Sequence, residues 1–361
     1  MDPEKSSLKI QSHNLNGFNL LKEFIRRECE DSSFSILAMQ EHWLRPSFRK
    51  QKGVNQLKTL HPDFDSYATS GMNDQLDQRI LKGRPFGGTG FLFRKNLSNC
   101  IRALVDIKHD RVTVLELNTK NEKILLINSS LPYFNPNNIS DQLSEYRDTI
   151  SFIENIMTSY PNHKYILLMD INCNIFGPRN VFTDLIHEMM SEFHLVSSFD
   201  FFPNFNHKQE YTRFDVKRNS FFTLIDGIFL SKSLSNVVES STILHPHDNV
   251  SDHLPLEINI NVEICEFSQE KSPISYYIPW STLTDAELTV YQNTMSDALR
   301  RISIPFHALN HGHQLCENCD CTIALEIFYK DIIFAVEQAW HSQTFLVTRI
   351  NGFKKQSLEK L

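Results

Sequence analysis

The amino-acid sequence predicts an α/β fold with mixed β-sheets, followed by a helical region at the C-terminal end. Short apolar segments bounded by polar turns recur from the N-terminus to about residue 262, with the length and composition of β-strands. Segments of helical periodicity lie between some of these strands, whereas other strands follow one another at hairpin-like spacing. Crossover helices combined with adjacent strands are typical of mixed sheets rather than of a purely parallel, doubly wound sheet.

The predicted strands are mostly near-continuous apolar runs, as expected for strands that are buried on both faces. They cover residues 8–14, 34–41, 87–95, 111–118, 123–130, 164–172, 221–231 and 254–261. Two further segments, 15–30 and 140–160, place apolar side chains at helical spacing and predict amphipathic helices that pack on the sheets.

The sequence changes character beyond residue 262. A polar, proline-containing segment leads into one predicted helix, and residues 322–340 predict a second. We therefore predict a first domain over residues 1–262 and a helical linker region over residues 263–361.

Composition favours a soluble globular chain with a sizeable core, because 41% of the 361 residues are hydrophobic and 22% are charged. No segment approaches the ~20 apolar residues that cross a bilayer, and the N-terminus lacks the apolar stretch of a secretion signal. Seven cysteines in this chain suggest no disulfide framework. We expect an intracellular protein of the nucleus or cytoplasm, with reduced cysteines and no membrane association.

The net charge of −7 is unfavourable for a protein that binds nucleic acid. The charge is unevenly distributed, however, because residues 1–100 carry 15 Lys and Arg against 11 Asp and Glu. A metal ion held on carboxylates can also bridge them to phosphate. The charge therefore weakens a nucleic-acid function without excluding it.

Several predicted strands end in a residue that can bind metal or phosphate. Each such residue alone could be a helix cap, a turn residue or half of a salt bridge, but buried carboxylates are costly unless paired, and α/β folds gather their sites at strand ends. Mg²⁺ suits one or two carboxylates together with phosphate and water. These observations predict one metal-dependent phosphate site, built from Asn14, Glu41, Asp170, Asn172, Asp226, Asp252 and His253.

Eight motifs follow one another in a characteristic order. They are NLNG (14–17), MQEHWL (39–44), GGTGFLF (87–93), NSSLPY (128–133), LLMDIN (167–172), YTRF (211–214), LIDGIFLS (224–231) and VSDHLPLE (250–257). In this order they resemble the endonuclease/exonuclease/phosphatase superfamily over about residues 8–262. Within it they resemble the endonuclease domain of LINE-type non-LTR retrotransposons, related to apurinic/apyrimidinic endonucleases. The resemblance implies a four-layer α/β sandwich of two packed mixed sheets flanked by helices.

The resemblance also implies a role for each site residue. It implies catalytic roles for Asp170, Asn172, Asp226 and His253, metal ligation by Glu41, Asn16 and Asp252, and substrate binding by Asn14, Ser130 and Thr212. Glu41 would be the principal Mg²⁺ ligand, and Asp170 would orient or deprotonate the attacking water. His253 would contact the scissile phosphate and be oriented by Asp226.

The implied activity is nicking of DNA by a Mg²⁺-dependent endonuclease, with Mn²⁺ as a substitute, to leave a 3′-hydroxyl. Residues 263–361 resemble the linker that joins such endonucleases to a reverse transcriptase, which implies a reverse transcriptase domain or element RNA as a partner beside DNA. Two departures stand against full activity: Ser130 replaces the usual tyrosine, and Met169 replaces a glycine. Two alternatives stay open, a phosphodiesterase or phosphatase acting on a small phosphoester and a weakened remnant that only binds DNA.

A second candidate site lies in the sequence HNHGHQLCENCDC. Cysteines two residues apart with a nearby histidine are a reasonable signal for structural zinc, here on His313, Cys316, Cys319 and Cys321. The cluster is compact, and no distant second pair of cysteines completes it. Structural zinc and free cysteines in a connector between helices are equally compatible with this sequence.

Overall fold

The chain divides into two compact units, Met1–Phe267 and Ser268–Leu361, each described by itself. The computed structural model describes residues 6–31, 33–46, 53–72, 76–77, 80–81, 85–133, 139–215, 221–267, 276–277, 285–306, 324–325, 327–332, 334–335 and 347–348. Among these residues, no helix has the length and apolar character needed to cross a membrane. The described cysteines Cys29, Cys100, Cys173 and Cys265 form no disulfide.

The first unit contains most of the regular structure. Its strands are β1 (Ser6–Asn14), β2 (Ile36–Gln40), β3 (Phe64–Thr69), β4 (Leu76–Asp77), β5 (Ile80–Leu81), β6 (Thr89–Arg94), β7 (Ile101–Ala103), β8 (Val112–Asn118), β9 (Lys123–Ser130), β10 (Lys164–Asp170), β11 (Leu195–Ser197), β12 (Arg213–Asp215), β13 (Phe221–Thr223), β14 (Asp226–Ser231), β15 (Val238–Ile243) and β16 (Leu256–Val262). Its α-helices are α1 (Phe18–Glu30), α2 (Ile139–Ser159) and α3 (Val181–Glu192), and short 3-10 helices cover Gly53–Thr59, Lys95–Leu97, Ser198–Phe201 and Lys232–Leu234.

Two six-stranded sheets form the framework of this unit. Their strand orders are β15-β16-β1-β2-β6-β3 and β11-β14-β10-β9-β8-β7. Each sheet contains one parallel pair, β1 with β2 and β9 with β10, and a helix connects the two strands of each pair. The other pairs within the two sheets are antiparallel. The mixed sheets that the sequence predicted are therefore confirmed.

Strand β10 shows why the predicted strands read as continuous apolar runs. Ile166 and Leu168 face the core between the two sheets, whereas Leu167 and Met169 face helices α2 and α3 on the outer side. Helix α1 covers the outer face of the other sheet in the same way. Each fully buried Leu or Ile side chain contributes about 2 kcal/mol. The result is a four-layer sandwich of helices, two sheets and helices, as the resemblance implied.

Two departures from the predicted elements have local causes. The predicted strand 221–231 is interrupted at residues 224–225, where the backbone N–H groups of Ile225 and Asp226 turn to the hydroxyl of Thr212, at 3.1 Å each. Helix α3 was not predicted. Its start uses a capping box of Asn180 and Thr183 rather than the commoner Glu or Gln partner.

The second unit contains the helix α4 (Asp285–Arg300), which lies where the first C-terminal helix was predicted. Residues 324–325, 327–332 and 334–335, within the second predicted segment, are also helical. The short strands β17 (Tyr276–Tyr277) and β18 (Val347–Thr348) pair with each other. The proposed zinc ligands His313, Cys316, Cys319 and Cys321 lie outside the described residues, so that site stays a prediction.

A buried amide bridge joins the two sheets near the strand ends that carry the predicted site. Gln40 Nε2, on β2, donates to Asn128 Oδ1, on β9, over 2.7 Å. Asn128 Nδ2 in turn donates to the carbonyl oxygens of Met39 (3.0 Å) and Gly90 (2.8 Å). Both amide side chains are buried, and Gln40 Nε2 also donates to the hydroxyl of Ser12 over 3.0 Å, so the polar groups of this contact find their partners within the protein. The bridge fixes the separation of Glu41, next to Gln40, from the end of β9.

We expect Asn128→Ala to destabilise the first unit by about 3 kcal/mol, because it leaves buried donors and acceptors without partners. Urea unfolding followed by circular dichroism measures the loss. Asn155→Ala is the matched control, since Asn155 is exposed on α2 and its replacement leaves no buried group unpaired. A loss below about 1 kcal/mol for Asn128→Ala would show that the sheets do not depend on the bridge.

Candidate active site

The predicted strand-end residues meet at one edge of the sandwich, in a cleft of about 500 Å³. The described residues that line it are Asn14, Asn16, Glu41, Gly71, Phe86, Gly87, Asp110, Arg111, Leu131, Tyr133, Glu145, Asp170, Asn172, Arg213, Asp252 and His253. Residues from both sheets contribute, so the cleft exists only when the two sheets are packed together.

The two carboxylate oxygens of Glu41 have different surroundings. Oε2 accepts hydrogen bonds from the indole N–H of Trp43 (2.8 Å) and from the backbone N–H of Gly87 (2.9 Å). Oε1 lies 3.3 Å from the hydroxyl of Ser130. One oxygen is therefore held by two donors, while the other is directed toward the remaining polar groups of the site.

The backbone that carries Glu41 adopts an unusual conformation. Glu41 and Trp43 have φ values of 50° and 56°, in the left-handed region that side chains other than glycine rarely occupy. Glycines make room for it: a Cβ on Gly17 would lie 2.7 Å from the Trp43 ring, and one on Gly88 would lie 2.4 Å from the ring of His42. The segment after β2 thus depends on close approach of two glycines.

The buried ring of His42 cross-links the segment after β2 to neighbouring backbone through hydrogen bonds. Its Nε2 lies 2.9 Å from the carbonyl oxygen of Thr69, and its Nδ1 accepts from the backbone N–H of Leu44 over 2.9 Å. Full burial lowers the pKa of His42 to about 4, so the ring is neutral and serves as a cross-link. The sequence analysis did not single out His42, because its role depends on contacts with distant residues.

Asp170 ends β10 and is almost completely buried. Its Oδ2 accepts from the amide groups of Asn14 (2.8 Å) and Asn172 (3.0 Å), and the Ser130 hydroxyl lies 3.5 Å away. Burial, together with the nearby charge of Asp226, raises the pKa of Asp170 to about 7. At neutral pH this carboxyl group is therefore able to take up a proton.

Asp226 and His253 form a buried ion pair beside Asp170. His253 Nδ1 lies 2.9 Å and 3.0 Å from the two carboxylate oxygens of Asp226. Burial alone would lower the pKa of His253, but the charge and hydrogen bond of Asp226 raise it to about 9. The imidazole is consequently protonated at neutral pH and is a cation at the wall of the cleft.

Asp252 links two further groups of the cleft. Its Oδ1 accepts from the side-chain amide of Asn16, and its Oδ2 accepts from Arg213 Nε, both over 3.0 Å. The guanidinium of Arg213 lies 6.0 Å from the centre of the Tyr133 ring. Sequence reasoning missed Arg213, although it lies within the motif YTRF that the sequence analysis quoted.

The structure brings nine of the ten predicted site residues to the cleft or directly behind it. The lining residues among them are Asn14, Asn16, Glu41, Asp170, Asn172, Asp252 and His253, and Ser130 and Asp226 contact these. Thr212 differs. It is fully buried, and its hydroxyl accepts the backbone N–H groups of Ile225 and Asp226. In this structure the Thr212 hydroxyl supports the backbone that presents Asp226, and its contact with substrate stays a prediction.

The donor set fits a divalent cation. Glu41, Asp170 and Asp226 bring three carboxylates together, and burial, with the charges of Asp226 and Glu41 as smaller contributions, raises the pKa of Asp170. Ligand-type atoms of Asp170, Asp226 and His253 lie within 4.8 Å of one another. Because His253 Nδ1 is already hydrogen-bonded to Asp226, we regard that pair as an ion pair. Glu41 Oε1, with a single long hydrogen bond of 3.3 Å from Ser130, is the Glu41 oxygen with fewer hydrogen bonds.

Comparison with solved structures identifies the fold. The AP endonuclease LMAP from Leishmania major has a TM-score of 0.56 at 15% identity, over 72% of this chain and 89% of its own. The 3′ phosphatase NExo from Neisseria, bound to a product DNA hairpin, has a TM-score of 0.51 at 16% identity, over 70% and 99%. The endonuclease domain of TRAS1, a telomere-specific non-LTR retrotransposon, has a TM-score of 0.52 at 14% identity, over 72% and 100%.

These similarities show that the chain has the fold of the endonuclease/exonuclease/phosphatase superfamily, as the motifs implied. No protein-family model and no curated protein matches the sequence. The identities of 14–16% establish the fold alone, so the chemistry of this chain has to be argued from its own residues.

We expect the imidazole of His253 to titrate near pH 9 in the metal-free protein and at a lower pH in Asp226→Asn, because the charge that stabilises the imidazolium is removed. The Cε1–H signal in a heteronuclear NMR titration measures this, with His253→Gln assigning the peak. The stability that the ion pair contributes is complete below pH 6.5 and is lost as the pH rises through 9. A wild-type midpoint at or below 6.5 would contradict the pairing.

Proposed function

We propose that this protein is a Mg²⁺-dependent endonuclease that nicks DNA and leaves a 3′-hydroxyl. The observation that carries the proposal is the meeting of Glu41, Asp170 and the Asp226–His253 pair at one cleft of this fold. A general base, a cation and a further carboxylate oxygen within one cleft suit hydrolysis of a phosphodiester. The fold neighbours, named as nucleases and a phosphatase, support the same class of chemistry.

The proposed reaction is in-line attack of water on phosphorus. Water forms a bond to phosphorus, the bond to the 3′-oxygen breaks, and the products are a 5′-phosphate and a 3′-hydroxyl. The proton of the water passes to Asp170, which its raised pKa suits for this role, and solvent protonates the leaving oxygen. Asn14 and Asn172 hold Asp170 in position through their amide groups.

The protonated His253 supplies positive charge where negative charge develops on the phosphate oxygens. Asp226 keeps it protonated and oriented. We propose that Glu41 holds Mg²⁺ through Oε1, the oxygen that accepts only the long hydrogen bond from Ser130 among the described residues, with Asn16 and Asp252 as supporting groups. When bound, Mg²⁺ would neutralise charge on the phosphate and lower the pKa of water.

Ser130 has a different role from the tyrosine that the resemblance leads one to expect. Its hydroxyl lies 3.3 Å from Glu41 Oε1 and 3.5 Å from Asp170 Oδ2, so it lies between two carboxylates. A hydroxyl in this place orders the carboxylates. We propose that it does so instead of extending to the phosphate as a longer phenol would.

Two other functions remain as alternatives. A phosphodiesterase or phosphatase acting on a small phosphoester would use the same central groups, and a remnant that only binds DNA would retain the surface without turnover. The further expectations, a reverse transcriptase domain or element RNA as partner and a nuclear or cytoplasmic location, rest on the sequence resemblance and composition, and we retain them as proposals.

We expect the protein to nick supercoiled plasmid with Mg²⁺, and Asp170→Asn to lower the rate by roughly 10²–10⁴-fold because the proton acceptor is lost. Asp141→Asn, a change at an exposed residue of α2, should leave the rate unchanged. The nicked strand should be extended by a DNA polymerase without prior phosphatase treatment, which reports the 3′-hydroxyl.

Other outcomes would select another function. Turnover of a small phosphoester without nicking supports the phosphatase alternative. Salt-sensitive binding of DNA without any cleavage supports the remnant. Nicks that polymerase extends only after phosphatase treatment would refute the proposed 3′-hydroxyl product.

We expect Trp43→Phe to weaken Mn²⁺ binding by about tenfold, since groups that orient a metal ligand typically contribute 10- to 100-fold to affinity. The substitution keeps an aromatic side chain at position 43 and removes the N–H that donates to Glu41 Oε2, together with the larger ring system of the indole. Electron paramagnetic resonance of free Mn²⁺ measures binding without turnover. Tyr133→Phe is the control in the same cleft. Equal Mn²⁺ affinity for wild type and Trp43→Phe would argue against Glu41 as the ligand.

A further inference from the structure

Two large aromatic side chains are exposed in a cleft whose other residues are mostly polar. Tyr133 is 61% exposed and Phe86 is 43% exposed, and both line the cleft that contains Asp170 and His253. Exposed aromatic surface beside a cluster of convergent polar groups is typical of a ligand-binding surface. The proposed hydrolysis uses neither ring.

Each ring lies within two residues of a backbone N–H that donates a hydrogen bond to Glu41 or to Asp170, the two carboxylate residues at the centre of the site. Phe86 directly precedes Gly87, whose N–H donates to Glu41 Oε2 over 2.9 Å. Tyr133 lies two residues after Leu131, whose N–H donates to the backbone carbonyl of Asp170 over 2.8 Å. Both rings therefore belong to segments whose backbone is hydrogen-bonded to the residues that carry the central carboxylates.

Tyr133 also has a cationic neighbour that is itself fixed. The guanidinium of Arg213 lies 6.0 Å from the ring centre, and its Nε is hydrogen-bonded to Asp252. Aromatic rings and guanidinium planes are the groups on which proteins stack unpaired nucleobases, and such stacking tolerates different bases. A phosphoester without a ring would gain nothing from them.

We propose that the cleft binds an intact, unpaired nucleobase next to the phosphate that is cut, with Tyr133 and Phe86 as the stacking surfaces. This inference rests on the proposed endonuclease function and names its substrate class. The cleft volume of about 500 Å³ is within the range of pockets that hold small organic ligands. A base in a paired duplex is stacked on its neighbours and has to leave them, so the preferred DNA has an unpaired nucleotide at the cut.

The substrate test uses one oligonucleotide sequence in four forms: single-stranded, fully paired, paired with one unpaired nucleotide at the mapped cut, and single-stranded with a tetrahydrofuran spacer in place of the base beside that cut. We expect the spacer to lower kcat/KM by roughly 10- to 100-fold, as the loss of one stacked base would. We expect Tyr133→Ala to lower cleavage of the intact form and to abolish the difference between base and spacer. Tyr133→Phe should retain it.

The matched control is Val105→Ala, because Val105 is similarly exposed but is not among the residues that line the cleft. This variant should discriminate between base and spacer as the wild type does. Cleavage of the spacer form as fast as the intact form, or faster, would overturn the proposal and leave the endonuclease function in place. Equal cleavage of the fully paired and unpaired forms would overturn the requirement for an unpaired base.

A binding measurement separates this inference from the proposed catalysis. An oligonucleotide with 2-aminopurine beside the mapped cut, or at each position in turn if no cut is found, is added to protein in EDTA. Stacking should quench its fluorescence with wild type and Tyr133→Phe, and much less with Tyr133→Ala. Quenching without any cleavage would support the base-binding surface while refuting the endonuclease function. Saturable binding with equal fluorescence for wild type and Tyr133→Ala would overturn the base-binding proposal.

Discussion

The buried amide bridge between Gln40 and Asn128 is the contact on which the site depends most. The first sheet and its adjoining loop supply Asn14, Glu41 and His253, whereas the second supplies Ser130, Asp170 and Asp226. Neither sheet by itself carries the full set of polar residues that meet at the cleft. The 2.7 Å hydrogen bond between the two amides sets how far apart the sheets lie, next to Glu41 and close to Ser130. The carboxylates at this edge repel each other. They stay close together only because the residues packed beneath them are held rigidly in place.

Two features of the site are unfavourable for the free energy of folding: repulsion between charges and strained backbone conformations. Three carboxylates share a largely buried space, and the raised pKa of Asp170 is the electrostatic consequence. Asn16, Glu41 and Asn172 have φ values of 46°, 50° and 50°, each costing about 1 kcal/mol or more. The well-packed cores on both sides of each sheet outweigh these costs. Such a concentration at the mouth of one cleft is what a site for a cation and a phosphate would require.

The strand-end pattern predicted the site well because periodicity and burial are local properties of a sequence. An apolar run that ends in Asp or Glu, as at Asp170, indicates both the strand and the edge at which its polar residue emerges. Helix α3 escaped prediction because its capping box uses Thr183, a weaker signal than Glu or Gln. The interruption of 221–231 escaped it because the competing acceptor, the Thr212 hydroxyl, lies 13 positions earlier in the chain than Ile225, before strand β12.

By itself, the sequence determined which strands are buried on both faces, the order of the motifs and the residue types available for chemistry. Only the tertiary structure decided that the two oxygens of Glu41 have different hydrogen-bond partners, that Ser130 lies between two carboxylates and that Thr212 supports the backbone. It also decided that Tyr133 opens onto the cleft. The physical reason is that these relations join residues far apart in the chain, such as Asn14 and Asp170, which are 156 positions apart and belong to different sheets. Their meeting depends on the packing of two sheets, which no local propensity encodes.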